Sequence, residues 1–260
     1  MKNILKFIFF VTVLTTTGFG SIASEQSQKL LNPGWSFKGF FGKFDRSSLQ
    51  RGYQVYTEVC AACHSMKYLS YRNLAQQGGP EFSEDQAKII ASQFEVIDGP
   101  NSEGDMFTRP ARLSDNFVGP YANEEAAKSA NGGAYPPDMS VLVKARKGGA
   151  SYIYSILLGY DDPPPDVSLE DGVYYNTYMS GNKIKMSKPL SENLVQYSDG
   201  TQATEEQMAK DVSTFLAWAA EPNLEQRHKM GFRAVLYLII ITILVYFSMK
   251  KIWSRIETDV

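Results

Sequence analysis

Cys60-Ala61-Ala62-Cys63-His64 is the stretch on which the reading of this chain turns. Cys-x-x-Cys-His is the attachment signature of a c-type haem. Two thiols add to the two porphyrin vinyl groups as thioethers, and the adjoining imidazole is held against one side of the iron. Cys60 and Cys63 are the only cysteines in 260 residues, so a haem uses both and leaves none for a disulfide. A thioredoxin-like dithiol would open a helix after a strand and would leave His64 unexplained. A zinc site would need more thiols or imidazoles at ligand spacing, and the chain has one other histidine, His228.

Immediately before the motif, Leu49, Tyr53, Tyr56 and Val59 recur on one helical face, with Gly52 on the same stripe. Ser47 or Ser48 is the expected N-cap. Far downstream, Thr204 with Gln207 reads as a capping box. It opens a helix whose Met208, Val212, Phe215, Leu216 and Ala219 share a face and which stops before Pro222. Gly52 would let the two helices cross closely against Phe215 or Trp218, as the first and last helices of cytochromes c do.

Between them the chain is rich in turns. Short helices are expected over 83–94, where Glu84 and Asp85 suit the first turn, and over 123–130. Two more are expected over 139–147 and 152–158, parted by Gly148-Gly149, and a short strand over 174–178. Pro163-Pro164-Pro165 forces a stiff extended loop.

Both ends carry apolar segments. Residues 1–23 have a lysine-bearing start, a short apolar run and small residues before a cleavage site, the pattern of a secretory signal. Residues 230–250 enclose an apolar stretch close to the roughly 20 residues that span a bilayer. Basic residues stand on both sides of it, so charge alone does not orient the span, but export of the preceding domain does. The expected order is therefore a signal peptide (1–23), an exported haem domain (24–229), an anchor (230–250) and a short inner tail (251–260). Residues 24–229 hold 26 acidic and 20 basic side chains, a balance of −6 that points away from nucleic acid and towards a basic partner.

His64 takes one axial position. His228, beside the anchor, is an improbable second ligand, which leaves methionine. Met106, Met139, Met179 and Met186 lie in the right part of the chain. Met186 lies in the loop Asn182-Lys183-Ile184-Lys185-Met186-Ser187-Lys188-Pro189 shortly before the last helix, and its likeness to the position from which cytochromes c supply a ligand methionine favours it, with Met179 next.

Taken together the chain resembles the cytochrome c1 family, the haem c subunits of ubiquinol–cytochrome c reductases. The resemblance is carried by Arg51-Gly52-Tyr53-Gln54-Val55-Tyr56 leading into the haem motif, Asp98-Gly99-Pro100-Asn101, Met106-Phe107 with Arg109-Pro110, and Leu113-Ser114-Asp115. It continues in Asn131-Gly132-Gly133-Ala134, Pro136-Pro137-Asp138, Ala145-Arg146 and Trp218-Ala219-Ala220-Glu221-Pro222. The resemblance implies a mainly α fold: a cytochrome c-like haem domain with long loop insertions, plus one C-terminal transmembrane helix. It implies one covalent haem c on Cys60 and Cys63, with His64 and Met186 as iron ligands. Arg146 would pair with a propionate, and Asn131, Pro137 and Tyr152 would line the pocket. It further implies one-electron transfer from a Rieske iron–sulfur protein to a cytochrome c, association with cytochrome b, and a bacterial inner membrane with the haem domain in the periplasm. Some bacterial relatives brace the ligand loop with an extra cysteine pair, which this chain lacks. Two other readings stay open: a membrane-anchored cytochrome c serving a terminal oxidase or another reductase, and a peroxidase-type haem enzyme with an open sixth site.

Overall fold

The computed structural model describes residues 28–256, so the expected signal peptide and the last four residues lie outside the described part. Six α-helices carry the described fold: α1 (Arg46–Glu58), α2 (Glu84–Ser92), α3 (Glu124–Ala130), α4 (Ala150–Leu158), α5 (Glu205–Ala220) and α6 (Leu224–Ile256). Two small antiparallel hairpins complete it, β1 (Glu95–Asp98) with β2 (Phe107–Pro110), and β3 (Tyr174–Tyr175) with β4 (Lys183–Ile184).

The centre of the domain is the crossing of α1 and α5. Leu49, Val55, Met208, Phe215, Leu216 and Trp218 are fully buried there. Each such side chain contributes about 2 kcal/mol of burial. Gly52 makes the close approach possible: a Cβ added to it would lie 2.1 Å from the carbonyl oxygen of Asp211 and 2.7 Å from the Phe215 Cβ. Phe215 is thus the aromatic partner at the crossing. Trp218 packs instead over Gly79, where an added Cβ would fall 2.7 Å from the indole.

The same crossing buries a charge. Asp211 accepts from the Ser48 hydroxyl at 2.7 Å, from Arg51 Nε at 2.8 Å and from Gln207 Nε2 at 2.9 Å. Arg51 also reaches Asp199 at 2.6 Å. A buried carboxylate is tolerable only when its lone pairs are satisfied in this way. Two capping expectations change as a result. Ser48 is buried and bonded to Asp211, so Asp45 caps α1 by accepting from Ser48 N at 3.2 Å. Thr204 caps α5, but Gln207 turns its amide to Asp211 and does not close the box.

Residues 139–147 form consecutive turns, not the expected helix. The segment is tethered at its start, where Met139 N donates to Ser65 O at 2.8 Å and the Ser140 hydroxyl accepts from Tyr68 N at 3.1 Å. Those ties to the chain after the haem motif outweigh a weak helical pattern. The β1–β2 hairpin was not anticipated. Its strands have four residues each, too few to show a period, and Arg109 locks them by bonding Asp98 and, at 2.6 Å, Asp115.

The last element, α6, is one continuous helix of 33 residues whose apolar central stretch is exposed. By length and composition it can cross a bilayer.

Candidate functional site

The Cys60–Ala62 segment is a single 3-10 turn that follows directly from α1. The Cys60 carbonyl accepts from both Cys63 N (3.1 Å) and His64 N (2.9 Å). Three residues per turn set Cys60 and Cys63 one above the other. Both are free thiols and half-buried. Burial pushes the Cys60 thiol up to about 12, with neighbouring Cys63 as a second cause. The motif follows a helix and forms a 3-10 turn, so it lacks the strand-to-helix setting of a thioredoxin-like dithiol.

His64 is oriented from outside the motif. Its Nδ1 lies 2.8 Å from the carbonyl oxygen of Pro137, so Nδ1 carries the proton and Nε2 is left to ligate. Burial lowers the imidazole below its ordinary value, and the Pro137 contact and nearby Asp138 only partly offset this. Burial thus favours the neutral ring, the form in which an imidazole ligates a metal.

Asp138, which follows Pro136 and Pro137, holds this arrangement in place. Its carboxylate accepts from Ser65 Oγ (2.8 Å), Lys67 N (2.9 Å) and Ser140 N (2.9 Å). Burial pushes the carboxyl up, but these hydrogen bonds outweigh it and hold it below the ordinary range. An acidic residue after two prolines is a turn-forming signal, yet nothing local says that it reaches back to residues 65–67.

The other expected site residues come from three further segments. Asn131 terminates α3 and donates to Tyr121 Oη (3.0 Å) and Ala127 O (2.7 Å). Tyr152, on α4, donates its hydroxyl to the Met179 sulfur at 3.5 Å. The carbonyl of Met186 accepts from Tyr160 Oη at 2.9 Å, and Lys185 Nζ reaches Gly132 O at 3.4 Å. Pro137 is thereby tied to the motif, the Asn131 turn to the Met186 loop, and that loop to the chain just beyond α4. Arg146 is exposed, and its guanidinium donates to the adjacent Ala145 carbonyl at 3.1 Å, leaving other donors of its fork for an anion. Among the other methionines, Met106 is 61% exposed at the end of the hairpin and Met139 is buried in the core, while Met179 and Met186 are half-buried.

The donor set suits a haem. It offers two unpaired thiols, a neutral imidazole with one nitrogen free, and half-buried thioethers. Among the described residues no three His, Cys, Asp or Glu side chains cluster as an ion site, so a tetrahedral metal has no comparable home.

Comparison with known proteins agrees. The profile of the Cytochrome C1 family matches residues 35–256. The chain belongs to the cytochrome c1 family. It is 46% identical to "Cytochrome c1 1, heme protein, mitochondrial" of Arabidopsis thaliana over 250 residues, covering 95% of this chain and 80% of the relative. It is 43% identical to "Cytochrome c1" of Rhodospirillum rubrum over 256 residues, 92% and 93% of the two chains. It is 47% identical to "Cytochrome b/c1" of Bradyrhizobium diazoefficiens over 251 residues, 89% of this chain and 36% of that relative, so this chain spans about a third of that longer protein. As a cytochrome c1, the chain is an electron-transfer subunit that carries covalent haem c, and the apolar helix α6 makes it a membrane-anchored protein.

Proposed function

We propose that this chain is the subunit that takes single electrons from a Rieske iron–sulfur protein and delivers them to a cytochrome c, in a complex with cytochrome b. The observation that carries the reading is the family match from residue 35 to residue 256, which takes in the haem motif, the loops around it and the anchor together. When bound, haem c supplies a one-electron iron couple; no side chain need make or break a bond.

In this reading Cys60 and Cys63 tether the macrocycle, and His64 ligates through Nε2 while the Pro137 carbonyl holds the Nδ1 proton. Met186 supplies the second ligand, which raises the potential relative to a second imidazole. Tyr160 supports this by fixing the Met186 backbone, so the loop that lacks the extra cysteine pair is held by a hydrogen bond. Arg146 is assigned to a propionate, as a charge-assisted contact. Asn131, Pro137 and Tyr152 frame the pocket. Residues 1–23 serve as the export signal, 24–229 as the haem domain in the periplasm, 230–250 as the single span of a bacterial inner membrane, and 251–260 as the inner tail.

Docking of a basic cytochrome c is assigned to exposed carboxylates. Of the acidic residues between Glu81 and Asp105, Glu81, Glu84, Asp85 and Asp98 are paired with cations. Asp161, Asp162, Asp166, Glu170 and Asp171, around the proline triplet, are exposed and form no ion pair among the described residues. They favour encounter with a basic partner, at a rate that falls as salt rises.

The test is a reduced-minus-oxidised spectrum of the protein purified in mild detergent from its native membrane. A c-type band that copurifies with b-type haems and with quinol–cytochrome c reductase activity is expected. A c haem that separates from cytochrome b where such complexes survive would overturn the assignment and point to a tethered carrier for another enzyme.

A further inference from the structure

A cavity of about 350 Å³ lies where the segment before α1 meets the first turns of α6. Its polar side is cationic. Lys43, Lys229 and Arg233 line it; none of the three lies within ion-pair distance of a carboxylate among the described residues, though Lys229 is near enough for Glu225 to feel its charge. His228 joins them, its ring set by a 3.2 Å contact from Nδ1 to the Gly42 carbonyl. The one carboxylate there, Glu225, is already engaged: Arg46 grips it at 2.8 and 2.9 Å, and Phe44 N donates to it at 3.0 Å.

The other side is aromatic. Phe40, Phe41 and Phe232 are 55%, 74% and 46% exposed, yet their rings stand against one another with centroids 5.0–6.1 Å apart. Three exposed rings in contact are unfavourable in water. They sit where the apolar stretch of α6 begins, so rings without a polar group lie at the edge of the span, where the hydrocarbon of a bilayer would start. Cations outside direct ion pairs, above apolar rings at that depth, match the headgroup layer of a bilayer, with phosphate outside and acyl chain inside. The cations also lie on the haem-domain flank of the span, where the bias for basic residues on the inner side offers no explanation.

We propose that this cavity binds one anionic phospholipid of the leaflet facing the haem domain. The lipid phosphate lies against Lys43, Lys229 and Arg233, and an acyl chain runs along Phe40, Phe41 and Phe232. The proposal rests on the membrane-anchored reading and is independent of which proteins exchange electrons with the subunit.

The test uses the haem-loaded full chain in nanodiscs of phosphatidylcholine with a minority of phosphatidylglycerol, released for native mass spectrometry. One retained phosphatidylglycerol per chain, enriched over phosphatidylcholine, is expected. Lys229→Gln with Arg233→Gln lowers that enrichment about 30-fold, the effect of removing two cations at a membrane surface. Phe41→Ser with Phe232→Ser lowers retention of both lipids, because the chain-binding side is lost. Excess inorganic phosphate leaves the lipid in place. Equal enrichment in the wild type and the charge variant would overturn the proposal. So would displacement by inorganic phosphate, which would mark a simple anion site. Unchanged haem spectra in all variants show that a lost lipid reflects the cavity, not a failed fold, and a negative lipid result would leave the electron-transfer reading intact.

Discussion

Where α1 crosses α5, Leu49, Phe215 and Trp218 are fully buried and a charged hub at Asp211 is satisfied from three side chains. The loop that carries Met186 is held differently, by the short β3–β4 ladder, by the Tyr160 hydroxyl on the Met186 carbonyl, and by Lys185 and Lys188 reaching Gly132 O and Glu205, with its side chains half-buried or exposed. One side of the site is built on packing, the other on a few hydrogen bonds. The motif and His64 continue from the packed side, so the proximal ligand is positioned by the core itself. The Met186 side has far less burial behind it, and its geometry is the one that small changes will alter.

The sharpest break in this contrast comes from Asp211→Ala. It leaves Arg51 partly buried beside a lost partner and strands Ser48 and Gln207, and a loss of about 4 kcal/mol is expected in thermal or denaturant unfolding. Gly52→Ala follows. Its new methyl would meet the Asp211 carbonyl, so the helices must separate, at about 3 kcal/mol. Both variants should unfold earlier with little change in the ligand spectrum of the fraction that remains folded. Full stability in Gly52→Ala would mean that the crossing is looser than described.

Acid titration probes the join between the two sides. Asp138 is held below its ordinary value, so its contribution is fully present above the usual carboxylate pKa of about 3.9. It fades as pH falls through the lower folded value. Stability of the wild type should therefore drop over that acid range, and Asp138→Asn should flatten the drop. A parallel pH dependence in both proteins would remove Asp138 from the account.

Tyr160→Phe gives the smallest effect on stability, about 1 kcal/mol for one hydrogen bond. It should still weaken the methionine–iron charge-transfer absorption and let the reduced haem bind carbon monoxide. If the ligand spectrum stays unchanged while Tyr152→Phe alters it, Met179 would be the methionine in question, since Tyr152 touches its sulfur.

The cysteine pair with His64, the faces of α1 and α5 and the apolar run of α6 could all be read along the chain. Each depends on residues a few positions apart, and the chemistry or period is complete within one turn or one span. The Pro137 carbonyl that sets the His64 ring lies 73 positions away, and the Tyr160 hydroxyl that holds Met186 lies 26 away. Neither residue carries a local mark of that task, because a backbone carbonyl or a lone phenol acquires a partner only when distant loops meet. The turns at 139–147 show the same limit, since their local pattern favoured a helix and their ties to Ser65 and Tyr68 prevailed. Local chemistry named the cofactor and the helices that present it, while long-range hydrogen bonds chose the ring orientation and the loop geometry, because those bonds exist only once the core has closed.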